Sequence, residues 1–381
     1  MSPPPGKRRS KKGRKVRVDL RRNRSKPRRI GDWTQQARDE QESALDATNS
    51  EQIVPKGELS RRRTVFIHDE TDRDAEGLNK GTVIAMRGLY ADVDDGERVW
   101  PCTVRRMLRT RLIEGRHPVT VGDRVTFSVE PEVEGVEQEG VIESVEQRHG
   151  KLRRRVGRKT HTIVANVEQA IIVSSAAQPI PKPHLIDRYI VASLAGEITP
   201  VICMNKKDLD EDDIAALVLG RYQQLSYATL LTSAITGEGI DALCQTLQGR
   251  VSVIAGQSGV GKSSLLNAIQ PGLELRIGDI NEQLQRGRHT TTTATMLRLD
   301  IGGYVVDTPG VRSFDVSMIA RNEFEEYFVD LAEHVPNCKF PDCTHIHESA
   351  CAVKLAVERG HIHPERYESY RRLFEEEAES A

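Results

Sequence analysis

From Gly77 onward the hydrophobic and polar positions fall into three textures. Short β-branched runs come first: GTVIAMRGLYADVDD, RVWPCTVRRMLR, PVTVGDRVTFSVE and GVIESVEQRHGKLRRR. Gly and Asp turn signals divide them at close spacing, which predicts a small antiparallel barrel of about five strands. An OB-fold suits that pattern, and its open face commonly binds oligonucleotides; an SH3-like barrel fits nearly as well. Between Ile163 and Asp315 the period changes, with apolar runs alternating with helical stretches: QAIIVSS, HLIDRYIVASLAG, TPVICMN, ATLLTSA, RVSVIAG and GGYVVDTPG. Continuous apolar strands between helices predict a parallel sheet covered on both faces. Ligands of such sheets bind at the carboxyl ends of the strands. Beyond it, FEEYFVDLAEHV and PERYESYRRLFEEEAES read as helices around a cysteine-rich loop.

The fold class that follows is multidomain α/β. An N-terminal OB-type barrel precedes a P-loop nucleotide domain and a C-terminal helical module stapled by a metal. At about 100–200 residues per domain, 381 residues agree with two or three domains. The expected divisions are a basic tail and linker at 1–60, an RNA-binding barrel at 61–155, the nucleotide domain at 156–330 and the helical module at 331–381.

Charge sharpens the picture. The whole chain has a net charge of −1, which by itself argues against a nucleic-acid partner. Yet residues 1–30 hold fourteen Lys and Arg against the single acid Asp19, a net +13 that leaves −14 for the rest. A segment of that composition cannot bury enough apolar surface to offset its ordering entropy, so it is expected to be disordered in isolation and to contact phosphates. A second basic cluster, Lys151, Arg153, Arg154, Arg155, Arg158 and Lys159, reads equally as an RNA contact or as a solvated strand end. No window approaches the ~20 apolar residues of a membrane helix, and MSPPPGKRRSKKGRK has no apolar core for a secretory signal. Six cysteines are too few for a disulfide scaffold in a chain of this length. A cytoplasmic protein without membrane contact is expected.

The chemistry begins at GQSGVGKSS. Gly256, Gly259 and Gly261 allow a tight turn whose N–H groups, with the following helix N-terminus, face phosphates. Lys262 is expected on the β- and γ-phosphates and the Ser263 hydroxyl on Mg²⁺. Asn205-Lys206-Lys207-Asp208 closes the strand TPVICMN and selects the base. One carboxylate, Asp208, accepts both guanine donors, N1–H and N2–H₂, a pair that adenine lacks. Asn205 is expected to tie this loop to the phosphate loop, the Lys206 stem to cover the base, and the Ser233-Ala234 backbone to meet O6. Asp307-Thr308-Pro309-Gly310 ends GGYVVD. Asp307 is expected to hold a water on Mg²⁺, and the Gly310 N–H to sense the γ-phosphate. One threonine among Thr290 to Thr293 completes the Mg²⁺ shell.

The order of these motifs is unusual. Ordinary small GTPases run from phosphate loop to switch threonine, DxxG, NKxD and guanine-backing loop. Here NKKD and TSA precede the phosphate loop, so the parts are circularly permuted and the end of the second switch faces the C-terminal module. In that module Cys338, Cys343, His345 and Cys351 supply three thiolates and an imidazole, a tetrahedral structural zinc set. His347, His361 and His363 are competing ligands. Cys102, Cys203 and Cys244 lie in apolar stretches and read as buried hydrophobes.

A barrel, a permuted GTPase carrying GQSGVGKSS and GRHTTT, and Cys-x4-Cys-x-His-x5-Cys occur in one order that resembles the ribosome small subunit-dependent GTPase A family, RsgA or YjeQ. The resemblance covers about residues 75–375. It implies a GTP hydrolase that binds the 30S ribosomal subunit and its 16S rRNA through the OB and zinc modules, is stimulated by that particle, and acts late in its maturation. It extends the GTP- and GDP-contacting set to Gln257, Ser258, Val260, Ser264 and Lys207, and it implies one Zn²⁺ on Cys338, Cys343, His345 and Cys351. Where many GTPases place a water-orienting Gln after DxxG this chain has Val311, whose aliphatic side chain cannot orient water. His289 of GRHTTTT is the catalytic candidate and matches the family's switch histidine; contact with RNA or shaping of the loop are its other readings. Arg286 and Arg288 are candidates for charge stabilisation. A complete site in one chain predicts a monomer. The rival function is a nucleotide-gated RNA-binding translational regulator, in which hydrolysis only times dissociation.

Overall fold

The computed structural model describes residues 14–19, 62–67, 78–105, 118–129, 138–156, 159–273, 294–307, 316 and 319–380. It divides into two compact units, 1–76 and 77–381. In the first, β1 (Arg14–Asp19) pairs antiparallel with β2 (Arg62–Ile67). β1 lies within the basic tail, and its partner β2 lies beyond the linker. The local sequences explain this: RKVRVD and RRTVFI both contain β-branched residues, which favour extended backbone even among arginines.

The second unit opens with a closed barrel of β3 (Asn79–Arg87), β4 (Tyr90–Asp94), β5 (Val99–Val104), β6 (Arg124–Val129) and β7 (Gly140–Val145), in the order β3-β4-β5-β7-β6. The pairs β3–β4, β4–β5, β3–β6 and β6–β7 are antiparallel, while β5 and β7 run parallel. This five-stranded closed arrangement is the OB type rather than the SH3-like alternative. Alternate positions point inward, so Val83, Ala91, Val93, Trp100, Cys102, Val125, Phe127 and Ile142 fill the interior. KLRRR, expected to end the barrel, instead forms β8 (Lys151–Val156), which pairs with β9 (Lys159–Ala165) as a separate two-stranded ribbon.

The nucleotide domain follows as β10 (Gln169–Ser175), α1 (Pro183–Ala195), β11 (Thr199–Asn205), α2 (Ile214–Gln224), β12 (Ala228–Leu231), α3 (Ile240–Leu247), β13 (Val251–Gly256), α4 (Lys262–Ile269), β14 (Thr295–Arg298) and β15 (Tyr304–Asp307). The sheet order is β12-β11-β10-β13-β15-β14, parallel except for β14 at the edge. Every residue of β10 is buried. Ile172 packs toward α1 and α2 with Ile186, Ile190, Ile202 and Val218, and Ile171 and Val173 toward α3 and α4 with Leu243, Leu247 and Leu265. At about 1.5–3 kcal/mol for each large apolar side chain buried, this two-sided packing makes β10 the centre of the sheet. From β10 the chain builds outward through β11 and β12 on one side, and β13 and β15 occupy the other. The reversal between β10 and β13 is where such sheets open a crevice at their carboxyl edge.

The C-terminal module is less regular than its sequence predicts. FEEYFVDLAEHV breaks into a 3-10 segment (Arg321–Tyr327) and the single turn α5 (Val329–Ala332), before a further 3-10 turn (Val335–Asn337). Two helices complete it, α6 (Ala352–Glu358) and α7 (Pro364–Ser380). Phe324, Phe328, Leu331, Val353, Tyr370 and Leu373 share one core with Val191 and Ala192 of α1. Arg366 of α7, almost wholly buried, crosses the same boundary: its guanidinium donates to Asp187 of α1 and to both carboxylate oxygens of Asp330, 4.5 Å above the Phe328 ring. No helix among the described residues is long and apolar enough to cross a membrane.

Candidate functional site: a nucleotide cradle and a thiolate centre

The phosphate loop leaves β13 at Gly256, which lies opposite Val173 of β10 at the crevice. Gly256 has φ +146°, and a Cβ there would stand 2.1 Å from the Val173 carbonyl oxygen, so only glycine fits. Gly259 and Gly261 also take positive φ, +84° and +94°. The chain then enters α4 at Lys262, and no side chain caps this helix. Its first N–H groups and positive dipole end are thus presented to an anion. The Lys262 ammonium donates to the Gly256 and Gln257 carbonyls, 2.8 Å each, so its charge sits within the loop. Burial there holds its pKa below the ordinary lysine value. Ser258, Ser263 and Ser264 are exposed, whereas Val260 is buried under the loop.

Asn205, at the end of β11, is buried and joins three segments. Its Nδ2 donates to the Val260 carbonyl at 3.0 Å, and its Oδ1 accepts from the Thr232 hydroxyl and the Ala234 N–H, both at 3.3 Å. The phosphate loop approaches so closely that a Cβ on Gly261 would lie 2.4 Å from Asn205 Nδ2. Lys206 takes a left-handed backbone conformation, φ +63°, and its ammonium donates to the Gln178 carbonyl. Asp208 is exposed and accepts a hydrogen bond from the hydroxyl of Ser233, a fully buried residue. The Ser233 oxygen in turn accepts from the Thr236 N–H at 3.1 Å. Lys207 does not join this set: its ammonium pairs with Asp213 at 3.2 Å and Asp210 at 3.7 Å.

Two contributors were not evident from the motifs. Thr232, the first residue of the TSA string, is buried and bonds Asn205. Gln178, in the QPIPK loop after β10, offers its backbone carbonyl to Lys206; a carbonyl contact leaves no residue-type signal. β15 ends at Asp307 beside β13, so Asp307 stands at the same carboxyl edge. Gly310, Val311, Arg286, Arg288, His289 and Thr290 to Thr293 lie outside the described residues.

In the C-terminal module the side chains of Cys338, Cys343, His345 and Cys351 converge, with all ligand atoms within 4.8 Å of one another. His345 Nδ1 is 3.5 Å from the Cys338 sulfur and 3.4 Å from that of Cys351, and those two sulfurs are 3.9 Å apart. The other imidazole nitrogen of His345, Nε2, lies 2.8 Å from a Glu325 oxygen, which orients the ring. Tyr367 and Tyr370 donate to the carbonyls of His345 and Thr344, at 2.7 and 3.0 Å, and fix the loop from α7. Burial, together with the neighbouring thiols, pushes the Cys343 thiol up to about 12. A bound cation reverses such a shift, since a coordinating thiol deprotonates. Of the competing histidines, His361 stacks on His334 and His363 accepts from the Glu365 N–H; neither they nor His347 belong to the cluster. The remaining thiols behave as hydrophobes: Cys102 lies inside the barrel, Cys203 in the sheet, and Cys244 is half-buried on α3.

A model of the RsgA GTPase family matches residues 145–317. The small ribosomal subunit biogenesis GTPase RsgA of Thermotoga maritima is 42% identical over 302 residues, 78% of this chain and 96% of that protein. The protein of the same name from Moorella thermoacetica is 44% identical over 294 residues, 76% of this chain and 94% of its own. Among solved structures, YjeQ from Thermotoga maritima superimposes with a TM-score of 0.64 at 36% identity, covering 79% of this chain and 99% of that one. YloQ, described as a circularly permuted GTPase, gives 0.61 at 31% identity, covering 81% and 98%. With its permuted motifs gathered at one sheet edge, an OB-type barrel before them and a Cys3His cluster after, this chain belongs to the RsgA family of circularly permuted GTPases and is a GTP hydrolase.

Proposed function

We propose that this GTPase engages the 30S ribosomal subunit through its 16S rRNA, hydrolyses GTP to GDP and phosphate when so engaged, and thereby leaves the particle late in maturation. The observation that supports this most is the Asn205 junction, where one buried side chain holds a guanine-selecting loop and a phosphate loop together. The particle is the one for which the relatives are named.

In this reading Asp208, held by the Ser233 hydroxyl, accepts the two guanine donors, while Lys206 covers the base and Ala234 borders it. The backbone of Gly256, Gln257, Ser258, Gly259, Val260 and Gly261 cradles the phosphates with Lys262 and the first turn at Ser263 and Ser264. The Ser263 hydroxyl, open to solvent beside the Lys262 ammonium, suits Mg²⁺ directly, and Asp307 suits it through water. Bound there, that cation would neutralise charge on the β- and γ-phosphates. His289 orients the attacking water. The water oxygen bonds to the γ-phosphorus, the bond to the β–γ bridging oxygen breaks, and GDP leaves with the electron pair. The Gly310 N–H senses loss of the γ-phosphate.

The Cys3His cluster is assigned zinc. Zinc bonds sulfur at about 2.3 Å and imidazole nitrogen at about 2.0–2.1 Å, which sets tetrahedral donors about 3.5–3.8 Å apart. The separations of 3.4, 3.5 and 3.9 Å agree with that spacing. Four protein donors leave no open position, so the ion is structural. One chain holding every loop supports a monomer, and a ribosomal partner supports a cytoplasmic one.

Hydrolysis rates measured with 30S, with 50S, with tRNA and with no RNA test the reading. Selective stimulation by 30S is expected, and equal stimulation by every RNA overturns it. His289→Ala is expected to abolish the stimulated rate and leave GTP affinity unchanged.

A further inference from the structure

The hairpin β14–β15 joins the two switch motifs: β14 begins just after Thr290 to Thr293, and β15 ends at Asp307 of DTPG. β14 is the edge strand of the sheet and packs against β3 of the barrel. Met296 and Tyr304 of the hairpin share an apolar cluster with Ile84 and Met86 of β3. The antiparallel register gives this hairpin two distinct ends. Thr295 stands opposite Asp307 at one end, and Arg298 opposite Tyr304 at the other. At about 3.3 Å per residue, Tyr304 and Asp307 are about 10 Å apart along one strand.

At the end away from Asp307, polar contacts cross to the barrel turn that follows β4. The Tyr304 hydroxyl donates to Asp94 Oδ2 at 2.9 Å. The Arg298 guanidinium donates to the Gly96 carbonyl and lies 3.7 Å from Asp94 Oδ1. Asp94 is buried, and its Oδ1 also accepts from the Gly96 N–H at 2.9 Å. Burial, with the Asp94 carboxylate facing it, pushes the Tyr304 phenol up, so the phenol keeps its proton and donates. The turn is braced on the barrel interior as well. Asp95 accepts from Trp100 Nε1 at 2.6 Å, and Trp100 belongs to the barrel core.

We infer that Tyr304 and Asp94 are positioning residues that couple the placement of the barrel to Asp307 at the switch end of the hairpin. The inference rests on the ribosomal reading above and on the cation role proposed there for Asp307. A hairpin this short moves as a unit. A displacement of Asp307 when the γ-phosphate is present therefore shifts Tyr304 against a buried carboxylate that is costly to leave without a donor. One arrangement of the switches then fits the docked barrel better than the other. Such coupling is reciprocal, so RNA that fixes the barrel favours the switch arrangement in which water attacks.

The test is the full chain carrying Tyr304→Phe, which removes the hydroxyl and keeps the ring. Hydrogen exchange at the Gly96 amide is read with GDP bound and with a GTP analogue whose β–γ bridge is an imide. Wild type should differ about threefold or more between the two nucleotides, and the variant by less than about 1.5-fold. With 30S particles, the ratio of stimulated to basal kcat should fall about tenfold in the variant, with the KM for GTP and the affinity for 30S matching wild type. Asp94→Asn should give the same loss, and the double variant no further one, because both changes remove one shared contact. Nucleotide-independent exchange in wild type, or an unchanged ratio in the variant, would overturn the inference. So would equal loss of basal and stimulated rates, or a lost affinity for 30S, since the contact would then only support the fold or the docking. If 30S does not stimulate wild type but exchange at Gly96 still depends on nucleotide and on Tyr304, the junction stands and the ribosomal reading falls.

Discussion

The nucleotide cradle and the thiolate centre reach order by opposite routes. The cradle is made of loops at a sheet edge, and its working groups are exposed or half-buried: Asp208, Ser258, Ser263 and Ser264 face solvent. Its shape comes from backbone, through glycines with positive φ and one buried amide that ties three segments. The thiolate centre is the reverse. Its donors are side chains, three of the four are buried, and they belong to the core that joins α1 to the C-terminal module. A site that must admit and release a large anion is built from backbone on a rigid sheet, where exposure costs little. A site that holds a permanent cation can be buried, because the cation satisfies the groups that burial strands. Perturbing the two should therefore give different losses, of function in one and of folding in the other.

The largest effect belongs to the centre. Cys351→Ser removes a ligand whose neighbours then remain as buried, uncompensated polar groups. We expect bound metal to fall from one equivalent to none and stability to drop by about 4 kcal/mol or more, lowering Tm by roughly 8 °C or more. Metal analysis and calorimetry read both. GTP affinity at a temperature below the new transition should stay within about threefold, and a larger loss would break the comparison by showing that the cradle depends on the metal. Next comes Gly256→Ala. A methyl group 2.1 Å from the Val173 carbonyl forces β10 and the loop apart at the crevice. Nucleotide affinity should fall at least about 100-fold with the metal retained. Retained affinity would mean that the loop tolerates a shape its geometry forbids.

How much could be read from residues alone follows the same division. GQSGVGKS and NKKD were legible because close approach of backbone to phosphate demands glycine, and guanine demands a carboxylate. The sheet was legible because strands buried on two faces have continuous apolar runs, as QAIIVSS does. Two features were not. The ribbon was absorbed into the barrel, since KLRRR alternates like any strand and continues directly from the barrel's last run. The helix expected in FEEYFVDLAEHV is broken into a 3-10 segment and a single α-turn, although Phe324, Phe328 and Leu331 keep the i, i+4, i+7 spacing of one helical face and share one core, so the residue pattern does not report the break. The sequence favours His345 over His347, and it is His345 that joins the cluster; its φ of +62° is a local bend that spacing does not report.

Asn205 tests the claim that the cradle is held by a single amide. Asn205→Ala removes three hydrogen bonds and leaves the buried Thr232 hydroxyl and the Val260 carbonyl without that partner. At about 0.5–1.5 kcal/mol for each bond the loss is about 2 kcal/mol or more, so nucleotide affinity should weaken about 30-fold. A fluorescent guanine nucleotide titration measures it. An effect below threefold would mean that the phosphate and base loops hold their positions independently.

The smallest effect separates two adjacent lysines that the family resemblance treats alike. The Lys206 ammonium reaches across to the Gln178 carbonyl, and its Cε would lie 3.9 Å from a Cβ on Gly261, so the stem runs along the phosphate loop where a base would lie. The Lys207 ammonium turns instead to the exposed Asp213 at 3.2 Å, a surface pairing of the kind that contributes little, and lies 3.7 Å from the buried Asp210 carboxylate. Lys206→Ala should weaken guanine nucleotide binding about tenfold, through lost cover of the base and lost contact between loops. Lys207→Ala should leave affinity within about twofold and Tm within about 1 °C. Equal losses would mean that Lys207 leaves its acids when nucleotide binds, and that the cradle closes on its ligand rather than receiving it preformed. Unequal losses would confine the base site to backbone already in position, which is the property that distinguishes it from the thiolate centre.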